Sequence, residues 1–491
     1  MTAKTLMIQG TASAPPPSSP KIAGARDIGG RNSSEIRQWL LCGLLAAAPF
    51  LFLVFMLYGY APDFPLWDAW DFTTVLDKFY EGNLSLREFY TASLHTPHRY
   101  FFPNAIRLVL AYFTHWNLSY ERALSEVFCA GIFFSVLYPL KNIRLAIGDT
   151  GVNWLIPVFS LMIFSLGPLE NLVCSDACTM FFCVFCSVLG LVLLTWSPFR
   201  WSRFAKAVLL GVLAIFSFGN GLAYWITGLS VIPFISRGPD KGKWLPLGLW
   251  ASIGSLCLLI YAQGYPHHPN LSYGLQHPAR FIQYVAGYLG GPLGMFLPTL
   301  GKLPPLNALP DGFAVAAAGK LLCIAGIAGL LTLGICLRVL ARRPGMTFHR
   351  LLPFAALGMF SLCSACITGF TRTGISADHY LHTRYITVGT LLWVSVVSCL
   401  YLLLRLNGGR QDDKDRVRRR SLIIRSMLGV IVFCFLCNSS LGAYRLVRWH
   451  HHWWVKARAD LIALQVNASP SKIMQDRIRT LTQYKLSVFR E

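Results

Sequence analysis

The chain of 491 residues is 54% hydrophobic and only 13% charged, with a formal net charge of +22. So few charged side chains cannot give a protein of this length an ordinary soluble surface, which excludes a water-soluble enzyme and indicates a multi-span membrane protein. Lys and Arg fall in short runs between apolar segments, as the positive-inside rule expects of cytoplasmic loops. The positive charge therefore does not indicate a nucleic-acid partner.

The N-terminal tail, residues 1–38, contains the sequence APPPSSPK and has no apolar periodicity. This composition predicts a disordered tail. Basic residues precede the first apolar run and place the tail in the cytoplasm. That run, 39–60, is long enough to cross a bilayer. The segment after it, 61–120, is then predicted to form a large external loop.

Ten further apolar segments follow, so we predict an all-α, polytopic domain over residues 39–443 with about eleven transmembrane helices. They are 122–140, 152–169, 177–196, 204–218, 222–236, 244–262, 314–341, 350–370, 385–405 and 421–443. With this count the basic connections face the cytoplasm, whereas the first loop and the C-terminal tail lie outside.

Two apolar segments are predicted not to span the membrane. If residues 100–116 crossed, the basic loops downstream would fall outside, so this segment is assigned to a helix at the outer interface, with Arg107 suited to that depth. Residues 281–300 are interrupted by Gly and Pro, which favours a re-entrant or surface helix. The tail, 444–491, predicts short surface helices whose basic residues suit anionic headgroups. Its segment RWHHHWWVK is interpreted as an interfacial anchor rather than a metal site.

The first external loop carries a dense group of ionisable residues. Asp68 and Asp71 lie in WDAWD, and His95, His98 and Arg99 lie in HTPHR. Ionisable groups close to hydrocarbon are costly and usually serve chemistry. The alternative is a solvated loop whose acids only avoid the membrane. Because the two aspartates are three residues apart, one helical turn would place them on one face, where one can orient the other.

These elements resemble the C-type (GT-C) superfamily of membrane glycosyltransferases, in which a first span leads to a large external loop with an acidic motif and juxtamembrane helices. WDAWD and HTPHR carry the resemblance here. NGLAYW at 220–225 and TRYITVG at 383–389 extend it to a group of largely uncharacterised bacterial multi-span membrane proteins. The resemblance covers most of residues 40–440. It implies a bacterial inner (plasma) membrane location, with the C-terminus periplasmic.

The resemblance also implies transfer of a sugar from a polyprenyl-phosphate carrier to a glycan, lipid or protein acceptor on the external face. That chemistry needs a carboxylate that takes the acceptor proton or holds a metal, and cations that stabilise the departing phosphate. Asp68 is the leading candidate for the catalytic carboxylate and Asp71 the second. Asp63 is a further alternative, because the superfamily favours an acid shortly after the first span.

Arg99, Arg372 and Arg384 are candidates to bind the phosphate, because a guanidinium presents a fork of donors and stays charged near lipid. Tyr385 lies beside the last of them in the TRYITVG element. The alternative is that these arginines reach lipid phosphates instead.

His95 and His98 are candidates for acid/base groups, hydrogen-bond donors to substrate or ligands of a divalent metal cofactor. Asn220 and Trp225 belong to the NGLAYW helix break, and interrupted helices at membrane depth occur where backbone lines a cavity. We therefore expect both residues in the substrate cavity.

Two other classes of function remain open. A transporter would carry ionisable residues inside its spans and often shows internal repeats, whereas these spans are nearly free of charge. A flippase, polymerase or ligase of lipid-linked glycans would share an external basic cavity without using the WDAWD carboxylates. The sequence has no cytoplasmic segment long enough for a nucleotide-binding domain, so a lipid-linked donor is expected.

Overall fold

The computed structural model describes residues 33–90, 98–147, 150–235, 244–264, 271–302, 313–342, 348–376, 379–406, 414–463 and 472–490. Within these ranges the chain forms helices, turns and bends, and no β-strand. The all-α class is therefore confirmed. His95 and most of the predicted N-terminal tail lie outside the described residues.

Twenty α-helices follow one another along the described chain. The first ten are α1 Ser33–Tyr60, α2 Phe72–Tyr80, α3 Leu86–Tyr90, α4 Phe101–Thr114, α5 Leu118–Ile147, α6 Leu155–Ile163, α7 Leu169–Val173, α8 Cys178–Thr195, α9 Trp201–Ile215 and α10 Gly221–Val231. The second ten are α11 Trp244–Ala262, α12 Leu271–Gln276, α13 Pro278–Gly294, α14 Leu297–Leu300, α15 Phe313–Ala341, α16 Phe348–Arg372, α17 Ile386–Leu406, α18 Lys414–Arg445, α19 His452–Ile462 and α20 Lys472–Gln483.

Among the described residues, 8 helices are long and apolar enough to cross a membrane. They are α1, α5, α8, α11, α15, α16, α17 and the helix that runs from α18 into α19. A bilayer core about 30 Å thick requires about 20 such residues. Together with the composition, these helices make the chain an integral membrane protein.

The three other predicted spans form shorter helices. The segments 152–169, 204–218 and 222–236 contain α6, α9 and α10, of 9, 15 and 11 residues. At 1.5 Å per residue none of these α-helices reaches across the bilayer core unaided. Each of the eleven predicted segments thus contains helix in its described part, while the number of crossings stays a prediction.

The first loop, 61–120, folds into the short helices α2, α3 and α4 after a one-turn 3₁₀ helix, Trp67–Asp71. In α4 the side chains of Val109 and Phe113 are exposed, as a helix at an apolar boundary requires. The placement of Arg107 is a correction to the sequence analysis. Its side chain is only 2% exposed, because it turns inward to two carboxylates rather than outward to headgroups.

The segment 281–300 forms α13 and α14, and α13 lies within the helix bundle against α15, α16 and α17. Glycine makes this approach close. A Cβ on Gly290 would lie 1.8 Å from the carbonyl oxygen of Leu322, and one on Gly326 would lie 2.0 Å from that of Ala286. A helix lying free on the bilayer surface is therefore excluded for α13.

The C-terminal tail also departs from the prediction. The helix of α18 continues past residue 443 through a π-helical turn, Leu446–His451, into α19. Beyond it α20 packs on the first loop, and Arg458 bonds the carboxylate of Asp63 at 3.0 and 2.9 Å. This basic side chain thus pairs with an acid of the first loop, not with a lipid headgroup.

The first loop and the tail lie at the same end of the bundle. His451 Nδ1 is 3.2 Å from the carbonyl oxygen of Tyr60 at the end of α1, and the two rings meet edge to face. The start of α1 therefore lies at the opposite end from the tail.

Candidate functional site

A cavity of about 700 Å³ opens at the end of the bundle that carries the first loop. It is bounded by the last turns of α9, α11 and α16 and by the first turns of α8 and α10, together with the turn before α17. Its volume falls within the roughly 300–1,000 Å³ of small-molecule sites. Segments far apart in sequence thus meet around one space.

Six of the predicted site residues line this cavity. They are Asp68, His98, Asn220, Arg372, Arg384 and Tyr385. The first two come from the first loop, the third from the α9–α10 break and the last three from the ends of α16 and α17. The structure therefore brings together residues that the sequence analysis selected from separate motifs.

Asp68 lies in the one-turn 3₁₀ helix and its side chain is exposed. The N-cap position of that helix is Leu66, and α2 has Asp71 at its own N-cap position. Asp68 is therefore not a helix cap. Its neighbour Trp67 has a φ of +46°, a left-handed conformation that costs a non-glycine residue about 1–3 kcal/mol and is frequent at functional sites.

Asp71 has a different environment, although it stands on the same turn. It is 5% exposed, and its carboxylate accepts a hydrogen bond from Arg477 Nη2 at 2.5 Å. Asp71 does not belong to the lining of the cavity. The two aspartates are therefore not a pair on one face.

Two more predicted residues lie in the walls rather than in the cavity. Arg99 donates to the carbonyl oxygens of Tyr261 and Gln263 at 3.3 and 2.7 Å, which ties the first loop to the end of α11. Trp225 is 3% exposed and its indole donates to the carbonyl oxygen of Gly211 at 3.2 Å. Both hold helices together and neither lines the cavity in the described structure.

His98 and Asn220 meet at the break between α9 and α10. The His98 ring stacks on Phe218 with centroids 4.3 Å apart. A Cβ on Gly219 would lie 2.9 Å from His98 Nδ1, so any larger residue there would force the ring or the backbone to shift. Asn220 occupies the N-cap position of α10 without a side-chain capping bond. The NGLAYW break thus shapes one wall of the cavity.

Arg384 is held by Glu170, a residue that the sequence analysis did not select. Arg384 Nε donates to Glu170 Oε2 at 3.0 Å, and His382 Nδ1 lies 3.4 Å from Oε1 of the same carboxylate. Burial alone would raise the pKa of Glu170, but the hydrogen bond to His382 and the charge of Arg384 hold that pKa at about 2. Glu170 is therefore ionised at neutral pH, and Arg384 has a fixed counter-charge.

A buried ion cluster borders the same cavity. Arg107 donates to Glu121 at 3.1 Å and to Asp176 at 2.7 Å, and Trp116 Nε1 also donates to Glu121 at 2.9 Å. Asp176 is the member that lines the cavity. The sequence contained a signal for both missed acids, because the segment 167–176 has Glu170 and Asp176 and no basic residue.

Tyr385 is oriented by His379, a residue that the sequence analysis did not select. The Tyr385 hydroxyl lies 2.8 Å from His379 Nδ1. The pKa of His379 is lowered to about 4, first by burial and then by the charges of His382 and nearby arginines. The imidazole is then neutral at pH 7, and its contact with the Tyr385 hydroxyl fixes the position of that hydroxyl at the cavity.

The described residues contain no group of three or more His, Cys, Asp or Glu side chains placed to hold a metal ion. His95, one of the predicted ligands, lies outside them.

Comparisons with known proteins give a structural likeness but no match to a family model or a curated protein. No protein-family model matches the chain, and no curated protein matches it. Among solved structures the chain is similar to a crystal structure of an oligosaccharyltransferase from Archaeoglobus fulgidus that is tethered to an acceptor peptide. The two are 11% identical with a TM-score of 0.43, over 91% of this chain and 59% of that one. The chain thus spans less than two thirds of that protein's length.

Proposed function

We propose that this protein is a membrane glycosyltransferase that moves a sugar from a polyprenyl-phosphate carrier to an acceptor at the external face. One observation carries the proposal. The exposed carboxylate of Asp68 shares a cavity of about 700 Å³ with the guanidinium groups of Arg372 and Arg384. A base and phosphate-binding cations are the groups that this transfer requires.

In the proposed reaction the acceptor forms a bond to the anomeric carbon of the sugar. The bond from that carbon to the carrier phosphate breaks, and the phosphate keeps the electron pair. Asp68 takes the proton that the acceptor loses. Arg384 and Arg372 stabilise the charge that develops on the phosphate, because a guanidinium donates two parallel hydrogen bonds to its oxygens.

A lipid-linked donor is supported by the rest of the lining. Leu222, Leu258, Ile367 and Phe370 line the cavity and come from α10, α11 and α16. A polyprenyl chain is apolar, so its first units can lie on these side chains while the phosphate stays among the arginines. This separation of apolar and basic side chains suits a carrier whose prenyl chain lies in the membrane and whose phosphate lies at its surface.

The experiment compares the protein with its Asp68→Asn variant in nanodiscs, supplied with a polyprenyl-phosphate sugar and an acceptor. Asp68→Asn should bind the donor as the wild type does and lose sugar transfer by at least about 100-fold, the range of a lost general base. Glu81→Gln is the matched control, since Glu81 is an exposed acid of the first loop outside the cavity lining.

Near wild-type transfer by Asp68→Asn would contradict the proposed mechanism. Donor binding without transfer in the wild type, together with movement of the lipid-linked glycan across the bilayer, would instead support a flippase.

A further inference from the structure

Residues 472–489, in the last described range of the chain, pack on the first loop around the turn that carries Asp68. Arg477 on α20 pairs with Asp71, with side-chain exposures of 12% and 6%. Asp71 and Asp68 belong to the same one-turn 3₁₀ helix. The segment thus contacts the turn from behind, and none of its residues lines the cavity.

Further contacts extend along α2, the helix that follows this turn. Thr480 donates to Asp77 at 2.9 Å, and the rings of Tyr484 and Tyr80 stack with centroids 4.6 Å apart and planes at 16°. Next to these contacts lies an apolar cluster of nine buried side chains, which come from the first loop and from residues 472–489. Its members are Phe72, Val75, Leu76, Phe89, Ala111, Trp116, Leu118, Leu481 and Leu486.

The tail also holds the chain on the other side of Asp68. Ser487 Oγ donates to the carbonyl oxygen of Asp63 at 3.2 Å, and Arg458 of α19 bonds the Asp63 carboxylate. The backbone nitrogen of Ser487 donates to the carbonyl oxygen of His115 at 2.9 Å. Asp68 therefore stands in a short stretch that is anchored to the tail both before and after it.

We infer that the segment 472–489 is a strap that positions Asp68, with Arg477 as the positioning residue that acts through Asp71. The turn needs such support, because the left-handed conformation of Trp67 persists only where surrounding contacts hold it. The effect of the strap on catalysis rests on the proposed function. Its support of the turn that carries Asp68 does not depend on that function.

The test compares Arg477→Gln with Arg479→Gln. Arg479 is the matched control, since it lies on the same helix, is 67% exposed and pairs with Asp476 of its own helix. Hydrogen exchange of the backbone amides over residues 66–72 should be about tenfold faster in Arg477→Gln and unchanged in the control. Sugar transfer should lose kcat by roughly 10- to 100-fold, the cost of a base displaced by about 1 Å, with KM for the donor within about twofold.

Removing one partner of a buried ion pair is strongly destabilising and can by itself unfold a region. The double variant Asp71→Asn/Arg477→Gln removes both charges, so it tests the strap without leaving one charge of the pair behind. Arg477→Lys should restore part of kcat, because a charge in the same place still bonds Asp71.

Wild-type exchange over residues 66–72 in both Arg477→Gln and the double variant would overturn the strap. Faster exchange with unchanged kcat would overturn its positioning role. A wild-type protein without any transfer would count against the proposed function alone, since the exchange measurement does not depend on turnover.

Discussion

Arg384 combines a fixed counter-charge with access to the cavity. Glu170 occupies its Nε, yet 42% of the arginine side chain is exposed. Asn171 Nδ2 donates to the backbone carbonyl oxygen of Arg384 at 2.7 Å. Protein contacts therefore fix the position of Arg384, which reduces the conformational entropy that its side chain loses when a phosphate binds. Arg372 is the last residue of α16.

Arg384→Lys should weaken binding of a polyprenyl-phosphate sugar by about tenfold, because a point charge replaces a fork of donors and one charge-assisted bond is lost. Donor titration in nanodiscs measures this effect. Arg87→Lys is the control, since Arg87 is an exposed arginine of the first loop outside the cavity lining. Unchanged donor affinity in Arg384→Ala would refute the assignment of this residue to the phosphate.

At the scale of helices, α13 packs closely on α15 and also contacts Tyr385, one residue of the cavity lining. Gly290 and Gly326 let the two backbones meet. Tyr288 of α13 in turn packs against Tyr385 beside the cavity, with ring centroids 5.0 Å apart. Small residues are the usual means of close helix approach in a membrane, where burial gives no hydrophobic gain between helices.

Gly326→Ala should destabilise the protein by about 1–3 kcal/mol, because the new Cβ meets backbone that cannot move aside. Gly334→Ala on the same helix meets nothing within 4 Å and should be neutral or slightly stabilising. Thermal unfolding of both variants in the same detergent provides the comparison. Equal melting temperatures would show that the α13–α15 contact is looser than the structure has it.

For the whole molecule, the end of the bundle that holds the cavity also holds the first loop and the C-terminal tail. The positive-inside rule predicts that this end faces outward and that the N-terminus is cytoplasmic. That orientation is a prediction, whereas the contact between Tyr60 and His451 places loop and tail on one side.

A cysteine introduced at Glu81 or at Arg479 should raise the labelling by an impermeant maleimide in intact cells above that of the unchanged chain, which has 14 cysteines of its own. A cysteine at Lys4 should react only after permeabilisation. Labelling of the first two positions from opposite sides would contradict the structure. Protection of both in intact cells would reverse the predicted orientation without affecting the fold.

Local patterns were enough to predict the class and the helical segments. The six predicted residues that line the cavity were selected together with a family resemblance, and their roles stay predictions. Apolar length and the placement of Lys and Arg are properties of neighbouring residues, and they decide whether a segment crosses a bilayer whatever it packs against. Asp68 and Arg384 were found because polar motifs beside apolar runs are rare and costly.

The roles of individual polar residues depended on partners that are distant in the sequence. Asp71 pairs with Arg477 outside the cavity lining, Arg384 pairs with Glu170, and the buried Arg107 pairs with Asp176. Ion pairs of this kind form between residues that the fold brings within hydrogen-bonding distance, and no periodicity in the sequence records them. The chain by itself determined a helical membrane protein with a polar first loop, and the tertiary structure decided which of its charges face the cavity, because burial and pairing are set by contacts between distant segments.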